Sequence, residues 1–326
     1  MLFIYNKSTD PYFNLAAEEY VLKNFKDDCF MLWRNSQAVI IGKNQNAISE
    51  INQDYVTNNN IPVVRRLSGG GAVFHDLGNV NFTFITNDTD DFVNFSKFTQ
   101  PIISVLKDKL NIDAQLSGRN DLTIDSKKFS GNAQYNYRSR VLHHGTLLFS
   151  SSIENISDSL NVKPIKLQSK GVKSVKSRVT NISSHLKSPL AIEDFINMTM
   201  DYVKENSLDG RIYEFTKDDI LNIEKLKLEK YSTWEWNFGK SPKYDYTNEE
   251  KLTGGIVEVN FNVKGGLIQE CKIYGDFFSK KDIIDIEKAL IGTKHEYNAI
   301  HNVLSGFDID KYFANISIDE LITVLI

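Results

Sequence analysis

The 326-residue chain is 41% hydrophobic and 25% charged, an ordinary globular composition with room for a large domain and a smaller one, because single cores stop growing near roughly 250–300 residues. Its 38 Lys and Arg against 42 Asp and Glu leave a net charge of -4, which excludes a general nucleic-acid-binding surface. The opening MLFIYNKSTDPYFN carries no signal-peptide pattern, no run of about 18 apolar residues occurs, and Cys29 and Cys271 form no CxxC pair; a cytoplasmic protein without membrane span, disulfide framework or zinc site is expected.

In chain order, a helix is predicted from about Asn14, read as its cap, with Ala17, Tyr20 and Val21 on one face. QAVIIG (37–42) reads as a short strand. NVNFTFIT from Asn79 alternates Val80, Phe82 and Phe84 with Asn81 and Thr83, a strand with one buried aromatic face. A helix follows around Ile102, Val105 and Leu106, then a small-residue loop at KKFSGNAQ (127–134) and a strand over VLHHGTLLF (141–149). Helical patterns begin at Ile192 and Asp218. A polar linker is expected near Tyr244 to Lys251, followed by two strands joined at Lys264-Gly265-Gly266 and helical patterns from Lys281, Glu296 and Ser317. The fold class is α/β (α+β): a large domain over 1–245 and a small α+β module over 246–326.

The stretch RRLSGGGAVFHD places three consecutive glycines between Arg65-Arg66 and His75-Asp76. Its spacing fits neither the dinucleotide fingerprint nor the Walker loop. Glycines that admit close backbone approach, beside guanidiniums, suit an anion such as phosphate. GRND (118–121) and KKFSGNAQ supply a second cradle with lysines, so that two cradles enclose one extended ligand, and the glycine and histidine stretches are expected to meet on one sheet. His143 and His144 adjoin on a strand and point to opposite sides, so at most one enters the site. The segment from Lys163 through Lys166, Lys170, Lys173 and Lys176 to Arg178 contains no acidic residue; it suits a solvated loop, one that steers an acidic protein, or one that closes over a polyanion. No aromatics interleave its lysines to stack on RNA bases.

Taken together, RRLSGGGAVFHDLGNVNFTF, GRNDLTIDSKKFSGNAQ and HHGTLLF resemble the successive motifs of bacterial lipoate–protein ligases of the A type. The likeness extends to NLAAEEYVL, VIIGKNQNAISEIN and KSVKSRVTNI, and so covers essentially the whole chain. It implies a catalytic domain related to biotin ligases with an accessory domain behind it, and a two-step reaction. Lipoate and ATP give lipoyl-adenylate, which then acylates a lysine of an acceptor, either a lipoyl domain of a 2-oxoacid dehydrogenase or the glycine cleavage H protein. By position in the motifs, Arg66, Ser68, Gly70, Gly71, Ala72, Val73, Phe74, Gly131 and His144 would line the adenylate and lipoyl chain. Lys128 would contact the carbonyl oxygen and α-phosphate, Asp121 would serve as a ligand for Mg²⁺, and the chain would act as a monomer with neither nucleic acid nor membrane as partner.

Lys43 stands where many relatives carry arginine, and no contact is assigned to it. Carrier-protein octanoyl or lipoyl transferases, the alternative enzyme, use a catalytic cysteine, and neither Cys29 nor Cys271 lies within these motifs. A lipoate-binding relative without chemistry is the third reading, and the retained Lys128, Arg66 and triple glycine argue against it.

Overall fold

The computed structural model describes residues 1–326 other than 46, 88–91, 161–177, 239–245, 265–266 and 296. An eight-stranded sheet runs in the spatial order Arg211–Ile212, Leu2–Asn6, Cys29–Trp33, Asn79–Thr86, Arg140–Leu148, Lys127–Tyr137, Asp121–Ile124, Ala114–Ser117. From Cys29–Trp33 to the Ala114–Ser117 edge every pairing is antiparallel. One face packs Phe30, Phe82 and Phe84 against the helices Phe95–Leu110 and Ile192–Glu205, through Phe98, Ile102, Val105 and Phe195. The other face packs Met31, Trp33 and Ile85 against the helix Pro11–Asn24 and a smaller sheet, ordered Val63–Arg65, Ala38–Ile41, Val73–His75.

Several sequence expectations change. The first helix starts at Pro11, because Asp10 accepts from the Tyr12 and Phe13 amides; Asn14 lies buried inside it, donating to the Ser8 and Arg34 carbonyls. Asn79–Thr86 is buried along its whole length rather than on one face, since Asn81 lines a cavity and Thr83 bonds to the buried Glu18 and Trp33 instead of solvent. KKFSGNAQ is strand, not loop. The glycine stretch and the histidine strand belong to different sheets and meet across the space between them. The linker expected near Tyr244 to Lys251 is largely strand: Tyr246–Leu252 is the first of a three-stranded sheet with Gly255–Lys264 and Leu267–Gly275. The turn glycines 265 and 266, the basic residues Lys163, Lys166, Lys170, Lys173 and Lys176, and Tyr244 lie outside the described residues.

The C-terminal sheet packs Val257, Val259, Phe261 and Ile273 against helices Ile284–Leu290, Tyr297–Leu304 and Ile318–Leu325, a core drawn from residues 252 to 325. This part packs against the glycine stretch, where a Cβ at Gly69 would stand 2.3 Å from the Phe277 carbonyl oxygen, and against its neighbours. The Gly275 amide donates to the Asn44 carbonyl, Arg119 donates to the Gly254 carbonyl with its guanidinium 4.6 Å from the Phe278 ring centre, and Lys43 pairs with Asp282 at 3.7 Å.

His143 belongs to the core. It stacks on Phe98 at 4.9 Å, accepts from Gln134 Nε2 at Nδ1 and donates from Nε2 to Asn132 Oδ1. That bonding defines a neutral ring, and burial, then the neighbouring His144, holds its pKa well below the usual histidine value. The unfolded chain therefore binds more protons in acid, so this group's contribution is complete above the unfolded histidine range near 6.5 and is lost as pH falls below it. Thermal unfolding should show the midpoint declining from pH 7 to pH 5, and His143→Gln should cost about 2 kcal/mol at pH 7 while flattening that decline.

Candidate active site

Between the two sheets lies a cavity of about 130 Å³. Its floor follows from strand register: Trp33 pairs with Asn81, Asn81 with Thr146, and the Gly131 amide donates to Thr146 Oγ1 at 3.2 Å. Trp33 and Gly131 stand on strands three apart, so the floor spans roughly 14 Å at about 4.8 Å per strand. Lys128 lies at the Gly131 end.

Lys128 reaches that end through two local devices. Asp125 and Ser126 take φ of 49° and 64°, forming a two-residue hairpin turn that starts the strand at Lys127. The pairing then shifts: Thr123 opposes Lys128 but Leu122 opposes Ser130, which leaves Phe129 as an extra residue. This bulge places Phe129 in the helix-side core and turns Lys128 to the face of Gly131 and Asp121. Lys128 Nζ lies 2.7 Å from Asp121 Oδ1. A Cβ at position 131 would stand 3.0 Å from that ammonium, so glycine leaves the lysine its path. Lys127 is exposed.

The opposite wall is the glycine stretch, shaped by two buried arginines. Arg65 donates to the carbonyls of Gly42, Lys43, Gln45, Trp236 and Asn237 at 2.6–3.1 Å. Arg66 donates to Ile40, Gly69 and Gly71 carbonyls at 2.7–3.2 Å and to Ser68 Oγ at 3.0 Å. Burial lowers both pKa values to about 10, which leaves both charged at neutral pH. Gly70 has φ +91°, a conformation that a β-branched residue resists. Ser68 Oγ lies 2.6 Å from His144 Nε2, whose Nδ1 faces Glu18 Oε1 at 3.0 Å. Glu18 also accepts from Thr83 Oγ1 at 2.5 Å, and Thr83 from Trp33 Nε1 at 3.1 Å. One polar relay thus ties loop, helix and sheet.

Residues 10–204 match the lipoyl protein ligase A/B catalytic domain, and residues 241–325 the bacterial lipoate protein ligase C-terminus. Lipoate–protein ligase 1 of Staphylococcus aureus is 46% identical and lipoate-protein ligase LplJ of Bacillus subtilis 43% identical, each over all of both chains. The chain belongs to the lipoate–protein ligase family. Among solved structures, P. falciparum LipL1 in complex with lipoate superposes with a TM-score of 0.79 at 27% identity, covering 99% of this chain and 98% of that one. A lipoate-protein ligase A bound with ATP gives 0.63 at 26% identity, covering 73% and 98%.

Within this lipoate–protein ligase fold, Arg66, Gly70, Gly71, Ala72, Val73, Lys128, Gly131 and His144 line the cavity, and Ser68 joins Arg66 to His144. Phe74 does not: strand alternation turns it into a separate core with Val39 and Ile41. Arg65 holds backbone and offers no fork to an anion. Asp121 pairs with Lys128, and among the described residues no group of three His, Cys, Asp or Glu stands ready for a metal. Trp33, His75, Asn81 and Asn120 also line the cavity, and Glu18 orients His144. The sequence offered only a helix glutamate and strand-like alternation for these, with no spacing that marks a ligand.

Cys29 and Cys271 are buried away from the cavity, and burial pushes the Cys29 thiol up to about 12 and the Cys271 thiol higher still. Gly131→Val should displace the Lys128 ammonium from Asp121, reducing turnover at least about tenfold with an unchanged circular dichroism spectrum.

Proposed function

We propose that the chain activates free lipoate with ATP and transfers the lipoyl group to a lysine of an acceptor protein. One observation carries this: the Lys128 ammonium stands at one end of a cavity whose other end, three strands away, is walled by Trp33 and Leu15. An acid with a charged head and a long apolar tail fits that polarity. In the first step a carboxylate oxygen attacks the α-phosphorus and pyrophosphate leaves. In the second the acceptor lysine attacks the acyl carbon and AMP leaves with the oxygen that had bridged carbon and phosphorus. Both steps build negative charge on oxygen beside the carboxyl group, where a fixed ammonium lowers the barrier. Lys128 acts as an electrostatic group in each and forms no covalent bond. The loop amides opened by Gly70 and Gly71 suit the adenylate phosphate.

Asp121 is a hard oxygen donor beside Lys128, and a magnesium ion commonly binds through one carboxylate together with substrate phosphates. We assign Asp121 to hold Mg²⁺ carried in with the triphosphate, where it would neutralise phosphate charge. The archaeal bipartite ligase from Thermoplasma acidophilum is described with its E2 lipoyl domain, at a TM-score of 0.65 and 29% identity. Lipoyl domains, and the glycine cleavage H protein, are the acceptors we propose. Residues 1–245 form the catalytic domain and 246–326 the accessory domain in this reading, with a monomer acting in the cytoplasm; among the described residues no helix is long and apolar enough to cross a membrane.

Incubating the protein with ATP, Mg²⁺, lipoate and an apo lipoyl domain should give pyrophosphate and an acceptor heavier by one lipoyl group; no mass shift on any apo acceptor would refute the proposal. Lys128→Ala should lower lipoate-dependent pyrophosphate release about a hundredfold, while Lys127→Ala stays within about twofold; equal effects would remove Lys128 from its role. Replacing Cys29 and Cys271 together by Ala should spare turnover, and its loss in a normally folded double variant would revive a thioester transferase.

A further inference from the structure

Two polar atoms at the Trp33 end of the cavity have no hydrogen-bond partner: His75 Nε2 and Asn81 Nδ2. Their residues are 3% and 2% exposed. A buried donor left unmet is costly and rare, so its retention beside a ligand cavity calls for an explanation.

The proton on His75 is fixed from behind. Asn14 Nδ2 donates to the Ser8 and Arg34 carbonyls, which determines which end of that amide is nitrogen, and the same atom lies 2.8 Å from Asn35 Oδ1. Asn35 therefore turns its own Nδ2 to His75 Nδ1, at 3.1 Å. An imidazole that accepts at Nδ1 is neutral and carries its hydrogen on Nε2. Burial, then the Arg66 charge, pushes the His75 pKa down to about 3, in keeping with that neutral ring. On the sheet side, Asn79 Nδ2 donates to Asn81 Oδ1 at 2.9 Å and leaves Asn81 Nδ2 free. Asn81 pairs in register with Trp33, whose ring meets His75 edge-on with centres 6.2 Å apart. Two N–H donors and an indole thus share the end of the cavity remote from Lys128.

We propose that His75 Nε2–H and Asn81 Nδ2–H recognise the sulfur atoms of the substrate ring, so that the site selects an acid bearing a cyclic disulfide over a plain fatty acid. This rests on the ligase reading above. Sulfur is a weak acceptor and a polarizable partner for an aromatic ring. It meets the two donors and the indole at once. A hydrocarbon tail of similar size covers the donors without bonding them, and discrimination arises from the groups left unmet.

The test compares lipoate with its all-carbon analogue, in which cyclopentane replaces the dithiolane, and with octanoate, reading acid-dependent pyrophosphate release by the wild-type chain. The analogue and octanoate should each show kcat/KM about tenfold or more below lipoate. His75→Phe and Asn81→Leu should each bring the lipoate-to-analogue ratio toward one through a raised KM for lipoate, while His75→Gln, which keeps a donor, should preserve part of it. Equal kcat/KM for lipoate and the analogue in the wild-type chain would overturn the inference and leave the ligase reading standing. So would an unchanged ratio in a folded His75→Phe or Asn81→Leu chain. Absence of release with lipoate itself would overturn both. The wild-type comparison requires no variant to fold.

Discussion

Two adjacent buried guanidiniums hold the rest of the site in place. A stretch with three glycines in a row has little conformational preference of its own and would sample many backbone states. Here Arg65 gathers carbonyls from the 42–45 turn and from Trp236 and Asn237, while Arg66 gathers those of Ile40, Gly69 and Gly71. Each charge is satisfied by carbonyls rather than by a carboxylate, so the region remains positive, as the proposed phosphate site requires. The glycines give the backbone its close approach and the arginines give that backbone one shape.

The second constraint is the register of the large sheet. Because Trp33, Asn81, Thr146 and Gly131 fall in one transverse row, the cavity runs across strands instead of along them. The bulge at Phe129 then places a lysine on the cavity face of a strand whose regular alternation would have aimed it into the helix-side core. Charge at one end and indole at the other follow from sheet geometry, and that separation matches a substrate with a carboxylate head and an apolar tail.

Much of this was legible in the sequence, and the remainder was hidden for identifiable reasons. Periodicity located the strands at 38–41, 79–86 and 140–148 and the helices at 95–110 and 192–205, because those segments bury long apolar faces. The opposed directions of His143 and His144 followed from strand alternation alone. The same alternation over Val73-Phe74-His75 sets Phe74 on the face opposite the cavity-lining Val73 and His75. KKFSGNAQ read as a loop because serine, glycine and asparagine dominate it; its pairing partners come from distant segments that a local pattern does not contain. Arg65 looked like an anion ligand because its carbonyl acceptors are main-chain atoms, which leave no trace in residue identity. Glu18 and Asn81 were missed because their roles depend on which side chains tertiary packing brings opposite them.

In the proposed reaction the carboxyl group is activated as a mixed anhydride with AMP beside Lys128. Lipoate labelled with ¹⁸O in its carboxyl group decides this when the protein is incubated with unlabelled ATP, Mg²⁺ and an apo lipoyl domain, and the released nucleotide is analysed by mass spectrometry. Activation at the α-phosphorus followed by aminolysis at carbon leaves one carboxyl oxygen on the phosphate, so AMP should carry a single ¹⁸O. Unlabelled AMP, or label appearing in inorganic phosphate alongside ADP, would rule out an acyl-adenylate.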